Sequence, residues 1–143
     1  MTAQQPVGAH LDDALVGVTG VAPPGACQPN AVQRLRMAPS ILPSGLRSSA
    51  RVLMWVGAWA DHDPREPHVH LGPLAVEPAR WGQGVGSLIL TEHCRRLDDQ
   101  GAVGYLETDK PENVRLYERF GYRVVSEAAV IGVPNWFMRR ERS

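Results

Sequence analysis

The sequence predicts an α/β (α+β) fold: a mixed sheet with helices packed on its faces. Three observations carry that expectation. Strand-like and helix-like runs alternate along most of the chain. A glycine-rich turn, Gly82 to Gly86, joins a strand to an amphipathic helix. And 143 residues suit one domain, 1–143, built around a single moderate core.

The elements follow in order. Val7 to Leu11 reads as a short strand, turned by Asp12-Asp13 into the valine-rich run Ala14 to Val21. Pro23-Pro24-Gly25 stops that run. Ala31 to Met37 reads as a short helix ahead of the breaks at Pro39, Pro43 and Gly45. Val52, Leu53, Val56 and Trp59 recur at helical spacing within Ser48 to Ala60. His68 to Val76 is a strand closed by Glu77-Pro78. After the glycine turn, Ser87 to Leu97 carries Leu88, Ile89, Thr91 and Leu97 on one side and Glu92, Arg95 and Arg96 on the other. Gly101 follows as its C-terminal glycine. Val103 to Glu107 is a strand, Pro111 to Phe120 a helix with proline in its first turn. Tyr122 to Val130 and Asn135 to Arg139 are the last strands, with Gly132 and Pro134 turning between them.

Composition narrows the function classes. Fifteen basic residues balance fifteen acidic ones, so nothing points to nucleic acid or a membrane surface. Cys27 and Cys94 form no disulfide or zinc pattern. No apolar run reaches membrane-spanning length, and no secretory signal opens the chain. A cytoplasmic, reducing home is the expectation.

The unit from Leu71 to Gln100 carries the first chemical signal. Gly82, Gly84 and Gly86 alternate with Gln83 and Val85 just before Ser87 and the helix. Small residues let a ligand approach the backbone, and the unpaired N–H groups at a helix start favour an anion, typically phosphate. A plain strand-to-helix turn fits the same residues. A Rossmann site fits less well: Ser87 stands where its third glycine belongs, and the unit lies past the middle of the chain. No Gly-Lys-Ser/Thr precedes the helix, so a Walker A loop is not expected.

Further on come Leu106-Glu107-Thr108, Asn113 and the run Leu116-Tyr117-Glu118-Arg119-Phe120-Gly121-Tyr122. With the loop, these residues resemble the GNAT superfamily of N-acetyltransferases. The match holds in order and spacing over residues 66–140. Glu66-Pro67-His68, Leu71 to Val76, Leu106-Glu107-Thr108 and Tyr117 to Tyr122 look closest to its puromycin N-acetyltransferase-like members.

The resemblance implies a twisted, mostly antiparallel sheet with helices on both faces. It implies acetyl-coenzyme A as co-substrate and a primary amine, of a small molecule, as acceptor, attacked directly with no metal. The backbone of Leu74, Ala75 and Val76 would pair with the pantetheine arm. Trp81, Gly82, Gln83, Gly84, Val85, Gly86 and Ser87 would hold the pyrophosphate. Asn113 would bond the cofactor arm, and Tyr117 would protonate the leaving thiolate. Glu107 is the candidate base, directly or through water; a carboxylate paired with a neighbour is the plainer reading. His70 stands on the preceding strand, where it could titrate near neutrality or simply be packed.

His62, His68 and His70 with Asp61 and Asp63 raise a zinc site, but spacing fixes no fourth ligand, so none is expected. Trp55, Trp59 and Trp136 read as core or as substrate wall. Two features depart from the family pattern. Trp81 stands where Gln or Arg is usual, with Arg80 beside it. And the family's first strand and two helices are missing from the front, which predicts an uncovered sheet edge and self-association, a homo-oligomer among the outcomes. A fragment, a misplaced start and a subunit that fills the gap by association all fit. The rival to an enzyme is an inactive GNAT-like module that binds an acyl-CoA or a partner.

Overall fold

The computed structural model describes residues 6–27, 39, 43 and 45–142. The expected helix at Ala31 to Met37 lies outside them. The elements are β1 (Val7–Leu11), β2 (Ala14–Ala22), α1 (Leu46–His62), β3 (His68–Val76), a short 3-10 turn (Pro78–Arg80), α2 (Val85–Gln100), β4 (Val103–Thr108), α3 (Pro111–Glu118), β5 (Arg123–Val130) and β6 (Val133–Arg140). Six strands form one sheet in the order β1-β2-β3-β4-β6-β5. Only β3 and β4 run parallel among neighbours; the other four pairs are antiparallel.

Both hairpin turns place two successive residues at positive φ, a conformation that Asp and Gly tolerate and the β-branched Ile131 does not favour. Asp12 and Asp13 sit at φ 47° and 66°, and Ile131 and Gly132 at 53° and 79°. Two successive positive φ values give the two-residue hairpin whose twist matches the strands it joins. Pro134 therefore lies inside β6 rather than in the turn. It pairs opposite Ala129, beyond Trp136, the last β6 residue with a β4 partner (Thr108). A residue without an N–H is tolerated there because one side of the strand has no neighbour.

The two faces of the sheet differ. Val69, Leu71, Leu106 and Met138 point to the side covered by α2 and α3 and pack with Leu90 and Leu97. Val7, Ala9 and Val16 extend this core against Ile89. Gly104 allows the close approach: a Cβ there would lie 2.7 Å from both Leu97 Cδ1 and the Tyr122 hydroxyl. Tyr122 and His93 share a buried 2.9 Å hydrogen bond beneath α2. Gly101 caps α2 in the left-handed conformation, with Ala102 N–H donating to Leu97.

The inward stripe of α2 differs from the expected one. Ile89, Leu90, His93, Cys94 and Leu97 are buried, whereas Leu88 is 62% exposed and Thr91 faces solvent. Adjacent helical residues lie about 100° apart, so a stripe centred on 90, 93 and 97 turns Leu88 away from the sheet. Glu92, Arg95 and Arg96 form ion pairs on the outer side, as their positions predict.

On the opposite face, α1 touches the sheet mainly through its C-terminal end. The His62 ring stacks on Phe137 at 4.0 Å, Tyr105 donates its hydroxyl to the His62 carbonyl, and Trp59 donates to Asn135 Oδ1. Its earlier turns stand off. Val52, Leu53 and Val56, expected as an apolar face, are exposed, with Met54 beside them. No helix among the described residues is long and apolar enough to cross a membrane.

Candidate active site

The site begins with a gap in the sheet. β3 and β4 pair only at His68–Val103, Val69–Gly104 and His70–Tyr105. Beyond His70 the two strands part. From Leu71 to Val76, β3 keeps β2 on one edge and has no partner strand on the other. Pro73 falls where the β2–β3 register shifts, between Thr19 and Val21, a position that spares the ladder a missing donor. A cleft of about 340 Å³ occupies the fork. The open strand (Leu71 to Leu74), the end of β4 (Glu107 and Thr108), α3 (Asn113 and Tyr117) and the tryptophans of α1 (Trp55 and Trp59) line it.

Strand alternation assigns the walls. Tyr105 faces α1 and Leu106 faces α2, so Glu107 projects to the α1 side and Thr108 to the α3 side. Glu107 is anchored: His70 Nε2 donates to its Oε2 at 2.6 Å, and the Glu107 side chain is 4% exposed. Burial works against a charged His70. Cys27 and Glu107 beside it favour the charged form more strongly and lift the imidazole to about 10. The two residues read separately from the sequence thus act as one pair.

On the other wall, Thr108 Oγ1 accepts from the Lys110 backbone and from Asn113 Nδ2, each at 3.3 Å. These bonds tie the start of α3 to the end of β4. Tyr117 lies one turn after Asn113 on the same face, buried against Tyr122. Burial raises its hydroxyl above the usual range, so it stays protonated at neutral pH.

The glycine loop lies beyond the far end of the open strand. Gly82 and Gly84 have φ 74° and 82°, and Gly84 is the N-cap of α2. A Cβ at either position would meet nothing within 4 Å, so the loop is open to a ligand. No side chain caps this helix start. The Trp81 indole N–H donates to the Val76 carbonyl at 2.9 Å, which folds the unusual loop residue back onto the strand end. Arg80 donates to Gln83 Oε1, and Gln83 donates to Ala79.

A strand edge with no partner strand, ending at a glycine-capped helix, fits a long ligand that adds backbone hydrogen bonds at one end and an anion at the other. The sequence model of the acetyltransferase (GNAT) family matches residues 4–122. The chain belongs to that family. Acetyl-coenzyme A is the general co-substrate of GNAT enzymes.

Solved structures agree on the GNAT fold. One described as histone acetyltransferase HPA2 and related acetyltransferase, from Corynebacterium glutamicum, is 23% identical with a TM-score of 0.72, covering 99% of this chain and 66% of that one. An agmatine N-acetyltransferase variant is 14% identical with a TM-score of 0.67, covering 94% and 72%. Aminoglycoside 6'-acetyltransferase type Ii is 20% identical with a TM-score of 0.57, covering 95% and 67%. At these identities the likeness is one of fold. The chain spans about two thirds of the length of these structures.

Several lining residues carried no expected role in the sequence: Lys110, Asp109 and Thr108. Thr108 was legible only as part of a motif. Trp55 and Trp59 line the cleft, whereas Trp136 pairs with Thr108 and Glu127 inside the sheet. His62 is committed to Phe137 and to the Ala58 carbonyl.

Proposed function

We propose that this chain transfers an acetyl group from acetyl-CoA to a primary amine of a small molecule by direct attack. The observation that carries the proposal is the fork between β3 and β4, with Glu107 on one wall and Tyr117 on the other. Acetyl-CoA supplies the thioester carbonyl that the amine attacks.

The residues divide the work. The edge at Leu74 to Val76 aligns the pantetheine arm, and Asn113 holds it from α3. The loop from Trp81 to Ser87 holds the pyrophosphate. Glu107, positioned by His70, takes the proton of the attacking amine. Tyr117 returns a proton to the thiolate, which its buried, protonated hydroxyl suits. Trp55 and Trp59 give the acceptor side an aromatic wall, which favours an amine attached to an apolar or aromatic body, in keeping with the puromycin N-acetyltransferase-like motifs.

The test is thiol release from acetyl-CoA with a panel of small primary amines, with products identified by mass. Amine-dependent release of one CoA per acetylated product is expected. CoA binding without turnover on any amine would replace the enzyme with an acyl-CoA-binding module.

A further inference from the structure

Beside the cleft, on the α1 face, lies a second cluster, which shares only His70 with the proposed acetyl-transfer site. Cys27, from the loop after β2, meets His68 and His70 at the start of β3. The ligand atoms of the three lie within 4.8 Å of one another. They are far apart in the chain: 41 positions separate Cys27 from His68.

The arrangement of protons is the informative feature. His68 Nδ1 donates to the Glu66 carbonyl at 2.9 Å, so Nε2 is the nitrogen left for another partner. That Nε2 stands 3.4 Å from Cys27 Sγ. His70 Nε2 donates to Glu107 at 2.6 Å, leaving Nδ1 as its other nitrogen. That Nδ1 is buried on the Cys27 side, and Asp63 Oδ1 lies 3.9 Å from it. Each histidine thus gives one ring N–H to a backbone or carboxylate oxygen and leaves its other nitrogen beside Cys27, where an arriving metal ion would displace any proton it carries. This is the outer-shell pattern of metal-binding histidines, in which the second nitrogen fixes the tautomer of the ligating one.

We propose that Cys27 Sγ, His68 Nε2 and His70 Nδ1 bind one zinc ion. In a tetrahedral zinc site, neighbouring sulfur and nitrogen ligands stand about 3.6 Å apart, given bonds of about 2.3 and 2.05 Å. The Cys27–His68 separation already meets that spacing. Thiolate with two imidazoles selects zinc over magnesium or calcium, which prefer oxygen. A cleft of about 490 Å³ bordered by Cys27, His68 and Asp63 adjoins the cluster and would leave room for water as a fourth ligand. Binding displaces the thiol proton and any proton on His70 Nδ1. The ion staples the loop after β2 to the start of β3. It also holds His70, and through it Glu107, in place. Glu107 and Asp63 flank His70 as well, but the Glu107 oxygen is engaged by Nε2, which places the ion on the Cys27 side.

Cobalt(II) is the probe, because a thiolate ligand gives it a charge-transfer absorption. Titration of the metal-free protein should show one Co2+ per chain with that band, and Zn2+ should displace it. In the wild-type protein Zn2+ should protect Cys27, but not the buried Cys94, from alkylation, a readout that needs no variant to fold. Cys27→Ser should abolish the band. Cys27→Ser and His68→Gln should each weaken Zn2+ binding about a hundredfold or more, and Glu107→Gln, one shell out, about tenfold to a hundredfold. Absence of the band in wild type, or a band that survives Cys27→Ser, would reduce the cluster to a thiol–imidazole contact and overturn the proposal.

Discussion

Tyr117 is held by its neighbours rather than by its own hydroxyl. Its ring packs 6.1 Å from that of Tyr122, and its burial keeps the phenol protonated. Removing only the oxygen therefore separates packing from chemistry. Tyr117→Phe should lower the acetylation rate roughly ten- to a thousand-fold, the span for acid catalysis when water partly substitutes. CoA affinity should change little, because the contact matters as charge develops on sulfur. Steady-state kinetics with calorimetry of CoA binding checks both. An unchanged rate removes Tyr117 from the mechanism; a large loss of affinity makes it a ground-state contact. At this scale the sequence was readable for Asn113 and Tyr117, whose four-residue spacing within one helix fixes a shared face. It was not readable for His70 and Glu107, or for Cys27, because those pairs form across strands and loops.

The element that most clearly awaits a ligand is the start of α2. Gly84 combines a left-handed φ with open space around its missing Cβ. Two substitutions split the backbone effect from the charge effect. Asparagine tolerates the left-handed region, so Gly84→Asn should retain the helix start and much of the CoA affinity. Gly84→Asp has similar size but sets a carboxylate where phosphate is proposed to lie. Its CoA affinity should fall about tenfold or more below that of Gly84→Asn, two like charges in a partly dry site costing on the order of 1–3 kcal/mol. Calorimetry on both variants reads the difference. Equal affinities would move the pyrophosphate elsewhere.

For the whole molecule, the exposed surface of α1 and the edge of β1 govern association. Leu46, Leu53 and Met54 are 82%, 62% and 56% exposed on α1, and β1 is the edge strand with no further neighbour among the described residues. Apolar surface and a free edge together favour association. We expect the purified chain to self-associate, with a mass by light scattering that rises with concentration. Leu53→Glu, on the exposed face, should shift it toward the monomer without loss of thermal stability. A monodisperse wild-type monomer would count against this.

The order of strands and helices, the hairpin at Asp12-Asp13, the glycine cap at Gly101 and the loop at Gly82 to Gly86 were all legible in the sequence, because each rests on local rules: alternation, helical period and positive φ. The side of a helix that faces inward was less so. The α2 stripe rotated away from Leu88, and α1 left Val52, Leu53 and Val56 in solvent, because a helix docks on the sheet it meets and not on its own apolar count. Strand order also lay beyond the chain's local pattern. The parting of β3 and β4 after three pairs, the His70–Glu107 bond and the meeting of Cys27 with His68 depend on which segments are brought together across tens of residues. Only the tertiary structure decides that, since local propensity constrains a residue's conformation and not its distant neighbours.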